Sequence, residues 1–106
     1  MNPKNKVALV TGSGKRIGKH IAISLAKTGS KVIIHYNESE EEALKTTEII
    51  NSNGGSAYPI KANLESSNEI FMMVDSIKKK YGNLDIIINN ASKFKTSYLC
   101  RLDIKG

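Results

Sequence analysis

Cysteine and histidine are scarce in this sequence, which has one cysteine, Cys100, and two histidines in 106 residues. A single thiol cannot form an intramolecular disulfide or a cysteine metal site, so a reducing interior is the default expectation. His20 and His35 stand in different predicted elements and form no metal-binding pattern. No apolar run approaches the roughly 20 residues that a membrane span requires. We therefore expect a cytoplasmic protein with no metal centre and no membrane contact.

Aromatic residues are also few, at 6% of the chain, while 40% of the residues are hydrophobic and 25% are charged. These fractions are typical of a soluble globular protein, and 106 residues suffice for one domain. Sixteen Lys and Arg residues outweigh ten Asp and Glu residues, which gives a net charge of +6. The lysines are scattered apart from one run at residues 78–80, which no aromatic residue interrupts. That run is interpreted as a solvated helix end, so no nucleic-acid partner is predicted.

The most informative stretch is residues 7–18, in which a short apolar run leads through a glycine-containing turn into a helical pattern. This order places backbone N–H groups and a helix N-terminus against a phosphate. Gly12 permits a sharp turn, Gly14 lets a diphosphate approach the main chain, and Gly18 allows the helix to pack closely on the strand. We predict a dinucleotide-binding turn between the first strand and the first helix.

Four apolar strands alternate with three helical patterns along the chain. The strands are predicted at residues 7–10, 31–35, 57–62 and 84–88, and the helices begin near residues 16, 39 and 66. Ser39 and Ser66 are each followed by glutamate three positions later, which predicts a capping box at each site. The alternation indicates an α/β fold with a parallel sheet, right-handed crossovers and strand order 3-2-1-4. Pro59 lies in the third strand and favours an edge position for that strand.

The ends of the first, second and fourth strands predict the type of ligand. The strand order reverses between the first and fourth strands, and a ligand crevice is expected there. NAD-selective folds have a carboxylate at the end of the second strand, about 20 residues past the glycine turn. This sequence has His35, Tyr36 and Asn37 there, with Lys15 and Arg16 across the crevice, and a cationic surface suits the 2′-phosphate of NADP. In the alternative interpretation, Lys15 and Arg16 are only solvated and His35 is a packed strand end.

Two motifs resemble those of the short-chain dehydrogenases/reductases. Residues 11–18, Thr-Gly-Ser-Gly-Lys-Arg-Ile-Gly, are similar to the family's Thr-Gly-x-x-x-Gly-x-Gly loop, with Arg16 in place of the middle glycine. Residues 89–92, Asn-Asn-Ala-Ser, resemble its Asn-Asn-Ala-Gly turn after the fourth strand. The resemblance covers residues 5–98. It implies a single Rossmann-type, doubly wound NAD(P)-binding domain over residues 1–106, truncated after the fourth strand.

Several residues are similar to the pteridine reductase branch of this family. They are the basic pair at residues 15–16, the His-Tyr-x-x-Ser segment at residues 35–39, Ser92 and Phe94. In that branch the serine at the position of Ser92 contacts cofactor and substrate, and the aromatic ring at the position of Phe94 stacks on the pterin. Glu38 departs from the branch, where a basic residue is typical. As alternatives, the serine of the 35–39 segment is only a helix cap, and Phe94 is only a core residue.

The resemblance also implies a set of binding residues around a dinucleotide, with NADP preferred over NAD. For the diphosphate and the 2′-phosphate these are Gly12, Ser13, Lys15, Arg16, Ile17, Gly18, His35, Tyr36 and Ser39. For the adenine they are Asn63 and Leu64, and for the nicotinamide and substrate they are Asn90, Ala91, Ser92 and Phe94, with Arg16 also implied at the substrate. Asn63 replaces the usual Asp of the family and is alternatively a turn asparagine.

The catalytic Tyr-x-x-x-Lys pair of the family is missing from this sequence. In the family the tyrosine relays a proton to the substrate, while the lysine lowers the pKa of that tyrosine and binds the nicotinamide ribose. The residues four positions after the tyrosines are Glu40, Ala62, Asp85 and Leu102, none of which is lysine. No catalytic residue is therefore predicted, and we expect no reductase turnover from this chain alone.

The resemblance implies the cofactor-binding half of an NADPH-dependent oxidoreductase that transfers hydride to a carbonyl or a pterin-type C=N group. Two alternatives remain. One is a truncated, non-catalytic nucleotide-binding remnant. The other is a half-domain that needs a partner to cover its fourth strand, in which residues 86–88 form an exposed apolar edge through which the chain self-associates.

Overall fold

The computed structural model describes residues 5–12 and 16–90, with the side chain of Arg16 excluded. Its elements are β1 (Val7–Val10), α1 (Arg16–Lys27), β2 (Lys31–Tyr36), α2 (Glu40–Ser52), β3 (Ser56–Lys61), α3 (Ser67–Tyr81) and β4 (Ile86–Ile88). The predicted alternation of strands and helices is confirmed, with boundaries that agree to within two residues. The largest difference is at β4, which begins two residues later than expected. Just before it, the Asp85 carboxylate accepts the N–H of Val7 at 3.0 Å.

The four strands form one parallel sheet in the order β3-β2-β1-β4, which confirms the predicted topology. Val10, the last residue of β1, is in register with Ile34 of β2 and Ile88 of β4. Pro59 lies in β3, at one edge of the sheet, where its missing N–H costs no bond to a further strand. The carboxyl ends of β1, β2 and β4 therefore meet at the same edge of the sheet.

Both faces of the central strands are covered by helices, so their apolar runs are buried on both sides. Leu9 and Ile33 belong to a core cluster with α3, and the next residue on each strand, Val10 and Ile34, packs with α1 and α2. This alternation follows from the two-residue period of a strand. All four residues of β1 are buried. Full burial of a side chain such as Leu9 is worth about 1.5–3 kcal/mol.

The basic run of residues 78–80 lies in the last turn of α3. The Lys79 ammonium is 3.0 Å from the Asp75 carboxylate, and both side chains are largely exposed. The Lys80 ammonium lies 4.6 Å from the centre of the Tyr58 ring. Cations at this end of a helix also interact favourably with its dipole. Among the described residues, no helix has the length and apolarity that crossing a membrane demands.

The two predicted capping boxes differ in the structure. At the start of α3, the Ser66 hydroxyl accepts the N–H of Glu69 at 3.2 Å, as expected of a capping residue. The Glu69 carboxylate does not return this bond to Ser66 and instead accepts the N–H of Asn63 at 2.9 Å. At the start of α2, the Ser39 side chain makes no cap hydrogen bond, so the box predicted there is wrong. The backbone explains the difference, because Ser66 is extended (φ −103°, ψ 112°) whereas Ser39 is not (φ −90°, ψ 54°).

Replacing Ser66 and Ser39 by alanine, one at a time, compares the contributions of the two serines to helix stability. We expect Ser66→Ala to lower the free energy of unfolding by about 1 kcal/mol, because the N–H of Glu69 loses its acceptor. Ser39→Ala removes no hydrogen bond within α2 and is expected to change stability by less than about 0.5 kcal/mol. Urea unfolding followed by circular dichroism measures both values. Equal losses of stability in the two variants would contradict the conclusion that Ser66 caps its helix and Ser39 does not.

Candidate functional site

The turn between β1 and α1 begins at the carboxyl end of β1, where Thr11 is completely buried. Gly12 adopts a positive φ of 63°, a conformation that residues other than glycine rarely adopt. Its N–H donates to Nδ1 of His35 at 2.9 Å, which ties the turn to the end of β2. On the other side, the N–H of Thr11 donates to the carbonyl of Ile88 in β4 at 3.0 Å. The turn is thus fixed from two neighbouring strands.

His35 connects three strand ends through one buried ring, which is 2% exposed. Because the N–H of Gly12 can only donate, Nδ1 is the acceptor and the ring proton sits on Nε2. Nε2 then donates to the carbonyl of Ala62, just after β3, at 2.9 Å. Burial lowers the pKa of His35, and the bond to Ala62 opposes this only in part. The ring is therefore neutral, and both nitrogens bind main chain. Its expected place near an adenosine phosphate stays a prediction.

Thr11, Asn89 and Asn90 join the ends of β1 and β4, where the strand order reverses. The N–H of Asn90 donates to the Thr11 hydroxyl at 2.9 Å. That hydroxyl lies 3.3 Å from Oδ1 of Asn89 and 3.4 Å from the carbonyl of Ile88. The Asn90 side-chain amide also donates to the carbonyl of Gly12 at 3.3 Å. These bonds hold the turn after β4 against the turn after β1, at the crevice where such sheets bind ligands.

The end of β2 carries Tyr36 and leads to Ser39, the residue before α2. Tyr36 is half-buried, and its hydroxyl donates to the Glu40 carboxylate at 3.3 Å. Desolvation raises the pKa of the Tyr36 hydroxyl, and the charge and hydrogen bond of Glu40 raise it further. Asn37 and Glu38 are exposed between them. The described residues at the end of β2 therefore include a phenol that is hydrogen-bonded to Glu40 and a serine, and their expected place at a dinucleotide stays a prediction.

Asn63 and Leu64 follow the end of β3. Oδ1 of Asn63 accepts the N–H of Glu65 at 2.9 Å, and its carbonyl accepts the N–H of Ser66 at 3.0 Å. Asn63 is thus a turn asparagine, as the alternative interpretation expected, and this turn also adjoins the strand ends. Leu64 is 4% exposed and packs in the core cluster under α3.

The remaining predicted site residues fall into two groups. Ile17 and Gly18 are in the first turn of α1, where Ile17 is 68% exposed and Gly18 is buried. Arg16 is the first residue of α1. The predictions outside the described residues are those for Ser13, Lys15, Ala91, Ser92 and Phe94.

Three residues of the site were not predicted as such, namely Thr11, Ala62 and Glu69. Thr11 follows four buried apolar residues and precedes the glycine, and a small polar residue at that position is a usable signal for a link between strands. No local sequence signal marks the Ala62 carbonyl or the Glu69 carboxylate as part of the site. Only the fold brings these two groups next to their partners, which are His35 and Asn63 respectively.

Comparison with known proteins agrees with this geometry. The profile of the family described as short chain dehydrogenase matches residues 6–104, nearly the whole sequence. The chain belongs to the short-chain dehydrogenase family. One relative is a short-chain dehydrogenase/reductase homolog of Bacillus subtilis (strain 168), YusS, which is 42% identical over 92 residues. That match covers 87% of this chain and 84% of the relative.

Other short-chain dehydrogenases are much longer than the matched region. Versicolorin reductase 1 of Dothistroma septosporum is 42% identical over 94 residues, a match that covers 89% of this chain and 36% of that protein. A solved metagenomic short-chain oxidoreductase in complex with NADP has a TM-score of 0.81 and 27% identity to this chain. That match covers 86% of this chain and 41% of the solved one. The chain thus spans less than half the length of these two relatives.

Proposed function

We propose that this chain is the NADPH-binding part of a short-chain oxidoreductase that transfers hydride to a carbonyl or a pterin-type C=N group. The observation that carries the proposal is the arrangement of the β1–α1 turn. Its first residues are fixed by hydrogen bonds that their N–H groups donate to His35 and Ile88, at the point where the strand order reverses. The NADP in a solved relative with a TM-score of 0.81 supports the choice of ligand class.

The residues around the turn fit an anionic diphosphate. Of the three helices in the described residues, α1 is the one with no acidic residue in its first turn, whereas α2 has three and α3 has one. The free N–H groups at the start of a helix favour an anion, and a carboxylate there would compete with it. Ile17, exposed in the first turn of α1, offers an apolar surface beside the turn. The N–H of Gly12 is already bonded to His35, so the diphosphate would use the amides that follow it.

NADP is preferred over NAD in this proposal because of the charges near the end of β2. His35, Tyr36 and Asn37 provide no carboxylate for the ribose hydroxyls of NAD. The Glu40 carboxylate further on lies 3.3 Å from the Tyr36 hydroxyl. Lys15 and Arg16 would supply positive charge to the 2′-phosphate, and Glu38 would oppose it.

In the reaction, bound NADPH supplies the hydride, and the chain described here binds and orients the dinucleotide. Asn90, held to Thr11 and Gly12, would border the nicotinamide together with Ala91. Ser92, Phe94 and Arg16 would contact the substrate, and their similarity to the pteridine reductase branch supports a pterin among the candidates. The proton would come from a Tyr-x-x-x-Lys pair that this sequence lacks.

Binding of the two dinucleotides to the full chain tests the proposal. We expect NADPH to bind about tenfold more tightly than NADH, as followed by the fluorescence of the reduced nicotinamide. The double variant Lys15→Ser/Arg16→Ser should lose this preference, because one charge-assisted phosphate contact is worth about 1.5–3 kcal/mol. The same samples should show no oxidation of NADPH with a ketone or a pterin.

The control variant Lys27→Ser/Lys45→Ser removes the same charge from exposed positions at the end of α1 and on α2. It should keep the preference for NADPH, since screened charges at a distance contribute little. Equal affinity of the unmodified chain for NADPH and NADH would contradict the cofactor assignment. Oxidation of NADPH by the pure chain would contradict the proposal that this chain binds the cofactor but lacks the groups that complete the reaction.

A second candidate is a non-catalytic or partner-dependent nucleotide-binding unit. It is favoured by the B. subtilis relative, of which this chain covers 84%, and by the position of β4 at a sheet edge. The residues of β4, Ile86–Ile88, are half-buried, and an apolar edge of this kind is a template for pairing with another strand. Sedimentation tests the partner-dependent form of this candidate, which requires a concentration-dependent dimer or a stable complex.

A further inference from the structure

Two lysines and two tyrosines alternate in a row at the edge of the sheet opposite the candidate functional site. The Lys31 ammonium lies 5.9 Å from the centre of the Tyr81 ring. The Lys80 ammonium lies 5.7 Å from the centre of the same ring and 4.6 Å from that of Tyr58. These residues belong to β2, β3 and the end of α3, so only the folded chain brings them together. The four residues are called the Lys–Tyr row below.

The Lys–Tyr row lies near the amino ends of the strands, on the face of the sheet that α3 covers. Lys31 is the first residue of β2 and is in register with Ser56, the first residue of β3. Lys31 and Tyr58 share a face with Ile33, which packs in the core cluster with α3. The candidate functional site lies at the carboxyl ends of the same strands. A ligand on the row would therefore leave that site open.

The positive charge of the row is not neutralised by neighbouring acids. Among residues 5–12 and 16–90, neither Lys31 nor Lys80 forms an ion pair with a carboxylate. The Asp75 carboxylate on α3 is instead paired with Lys79 at 3.0 Å. At the amino edge of the sheet, both oxygens of the Asp85 carboxylate accept hydrogen bonds from nearby nitrogen atoms. The row therefore presents two cations to an anionic ligand.

The two rings of the row add a flat apolar surface beside these cations. Tyr58 is 42% exposed, although it lies within a strand. Burial raises the pKa of the Tyr81 hydroxyl, and the nearby Tyr58 phenol raises it further, so Tyr81 is neutral and does not repel an anion. Exposed rings beside cations are the features that bind the bases and phosphates of single strands. The expectation of no nucleic-acid partner depended on the absence of aromatic residues within the lysine run, and the fold places two rings beside Lys80.

The outer edge of β3, next to the row, is poorly suited to a peptide that adds a strand to the sheet. The Asn51 side-chain amide accepts the N–H of Ala57 at 2.8 Å and donates to the carbonyl of the same residue at 3.2 Å. It thus occupies the outward main-chain groups of Ala57. Pro59, the next outward residue of the strand, has no N–H to offer. These features argue against an acidic peptide that pairs with β3 and favour a partner bound through phosphates and bases.

We propose that the Lys–Tyr row binds single-stranded nucleic acid, with phosphates at Lys31 and Lys80 and a base on the exposed ring of Tyr58. The interaction has no sequence preference, because every base has a face that stacks on an aromatic ring. The inference goes beyond the proposed dinucleotide function and does not depend on it.

Fluorescence anisotropy with a labelled oligouridylate tests the inference on the full chain. A probe about 12 nucleotides long lies within the range of known single-strand sites. At about 50 mM salt we expect a Kd of about 1–100 μM. Tyr58→Leu should weaken binding at least about fivefold, because the stacked base loses its platform. Lys31→Ser/Lys80→Ser should reduce the slope of log affinity against log salt by about 1.4, since each phosphate contact to a single strand contributes about 0.7.

Two variants serve as matched controls. Phe71→Leu removes an aromatic ring that is 61% exposed on the opposite side of α3 from Lys80. Lys27→Ser/Lys45→Ser removes two positive charges from exposed positions on α1 and α2. Phe71→Leu should bind the oligouridylate as the unmodified chain does, and the double lysine control should keep the salt slope. A urea unfolding curve of each variant verifies that it is folded before the affinities are compared.

Lys15→Ser/Arg16→Ser distinguishes this inference from the dinucleotide proposal. This variant should bind the oligouridylate as tightly as the unmodified chain, whereas a loss of affinity would place the strand in the dinucleotide crevice and overturn the inference. The inference is also overturned if the oligouridylate does not bind at about 50 mM salt, or if Tyr58→Leu binds it no more weakly than Phe71→Leu does. Equal competition by an oligoglutamate of the same charge would show a surface for any polyanion and would overturn it as well. If the oligouridylate binds as expected and NADPH does not bind, the proposed function fails and this inference stands.

Discussion

Replacing His35 by leucine is expected to lower the free energy of unfolding by about 3 kcal/mol. The leucine side chain fills much of the same buried space, so the loss comes from hydrogen bonding. The partly buried N–H of Gly12 and the buried carbonyl of Ala62 each lose their partner. An unsatisfied buried polar group costs about 1–3 kcal/mol. Since a domain of this size has a total stability of about 5–15 kcal/mol, the loss is a large fraction.

The second histidine of the chain provides the control. His20 is exposed on α1, and His20→Leu should change stability by less than about 0.5 kcal/mol. Urea unfolding at pH 7.5, where the buried His35 ring is neutral, gives the comparison. A loss below about 1 kcal/mol in His35→Leu would show that water or a shifted main chain takes over both bonds. In the expected case the variant also binds NADPH more weakly, because the turn loses its support from β2.

The same ring makes stability depend on pH. Burial lowers the pKa of His35 in the folded protein below its ordinary value of about 6.5 in the unfolded chain. Below about pH 6.5 the unfolded chain therefore binds a proton that the folded chain does not, and stability falls as the pH falls. The contribution of His35 is fully present above that pH and is lost below it, by up to about 1.4 kcal/mol per pH unit. His35→Gln, which does not titrate, should reduce this slope when unfolding is measured between pH 7.5 and 5.5.

The order of elements and the sheet topology were predictable because they depend on local and cumulative signals. The apolar run of β1 and the proline of β3 indicate a central and an edge strand, and the structure confirms both. Short connections and right-handed crossovers then leave a few orders for four strands, and the edge position that Pro59 indicates for β3 favours 3-2-1-4 among them. The family was predictable for a related reason. The glycine turn and the Asn-Asn turn stand at fixed places in that topology, and residues 6–104 match the family profile.

The side-chain contacts of the candidate site were not predictable to the same degree. His35 was expected to face a phosphate, but its tautomer and both partners depend on Gly12 and Ala62, which lie 23 and 27 residues away in the chain. The capping box at Ser39 failed because the pattern does not specify the backbone angles of the capping residue. The roles of Ser92 and Phe94 stay predictions, since they rest on the family resemblance alone.

Leu9→Ala is the variant expected to destabilise the chain most, by about 3–5 kcal/mol. Leu9 is completely buried in the centre of β1, in register with Ile33 of β2 and Ile87 of β4. On the face of the sheet toward α3 it belongs to a cluster that includes Ile70 and Ile77. Truncating a buried leucine loses its transfer free energy and leaves a cavity that rigid neighbours cannot fill. Because three strands and a helix surround this position, little collapse of the site is expected.

Leu44→Ala provides the comparison, since Leu44 on α2 is 48% exposed and leaves no closed cavity. Its loss should stay below about 1 kcal/mol, as measured by urea unfolding. The two variants also test whether the ligand site depends on the core of the sheet, because β1 leads directly into the turn at Thr11 and Gly12. If the turn depends on a rigid β1, the folded fraction of Leu9→Ala should bind NADPH more weakly than the folded fraction of Leu44→Ala. A stability loss in Leu9→Ala no larger than that in Leu44→Ala would mean that β1 is not the centre of the core, and the support proposed for the turn would then fail.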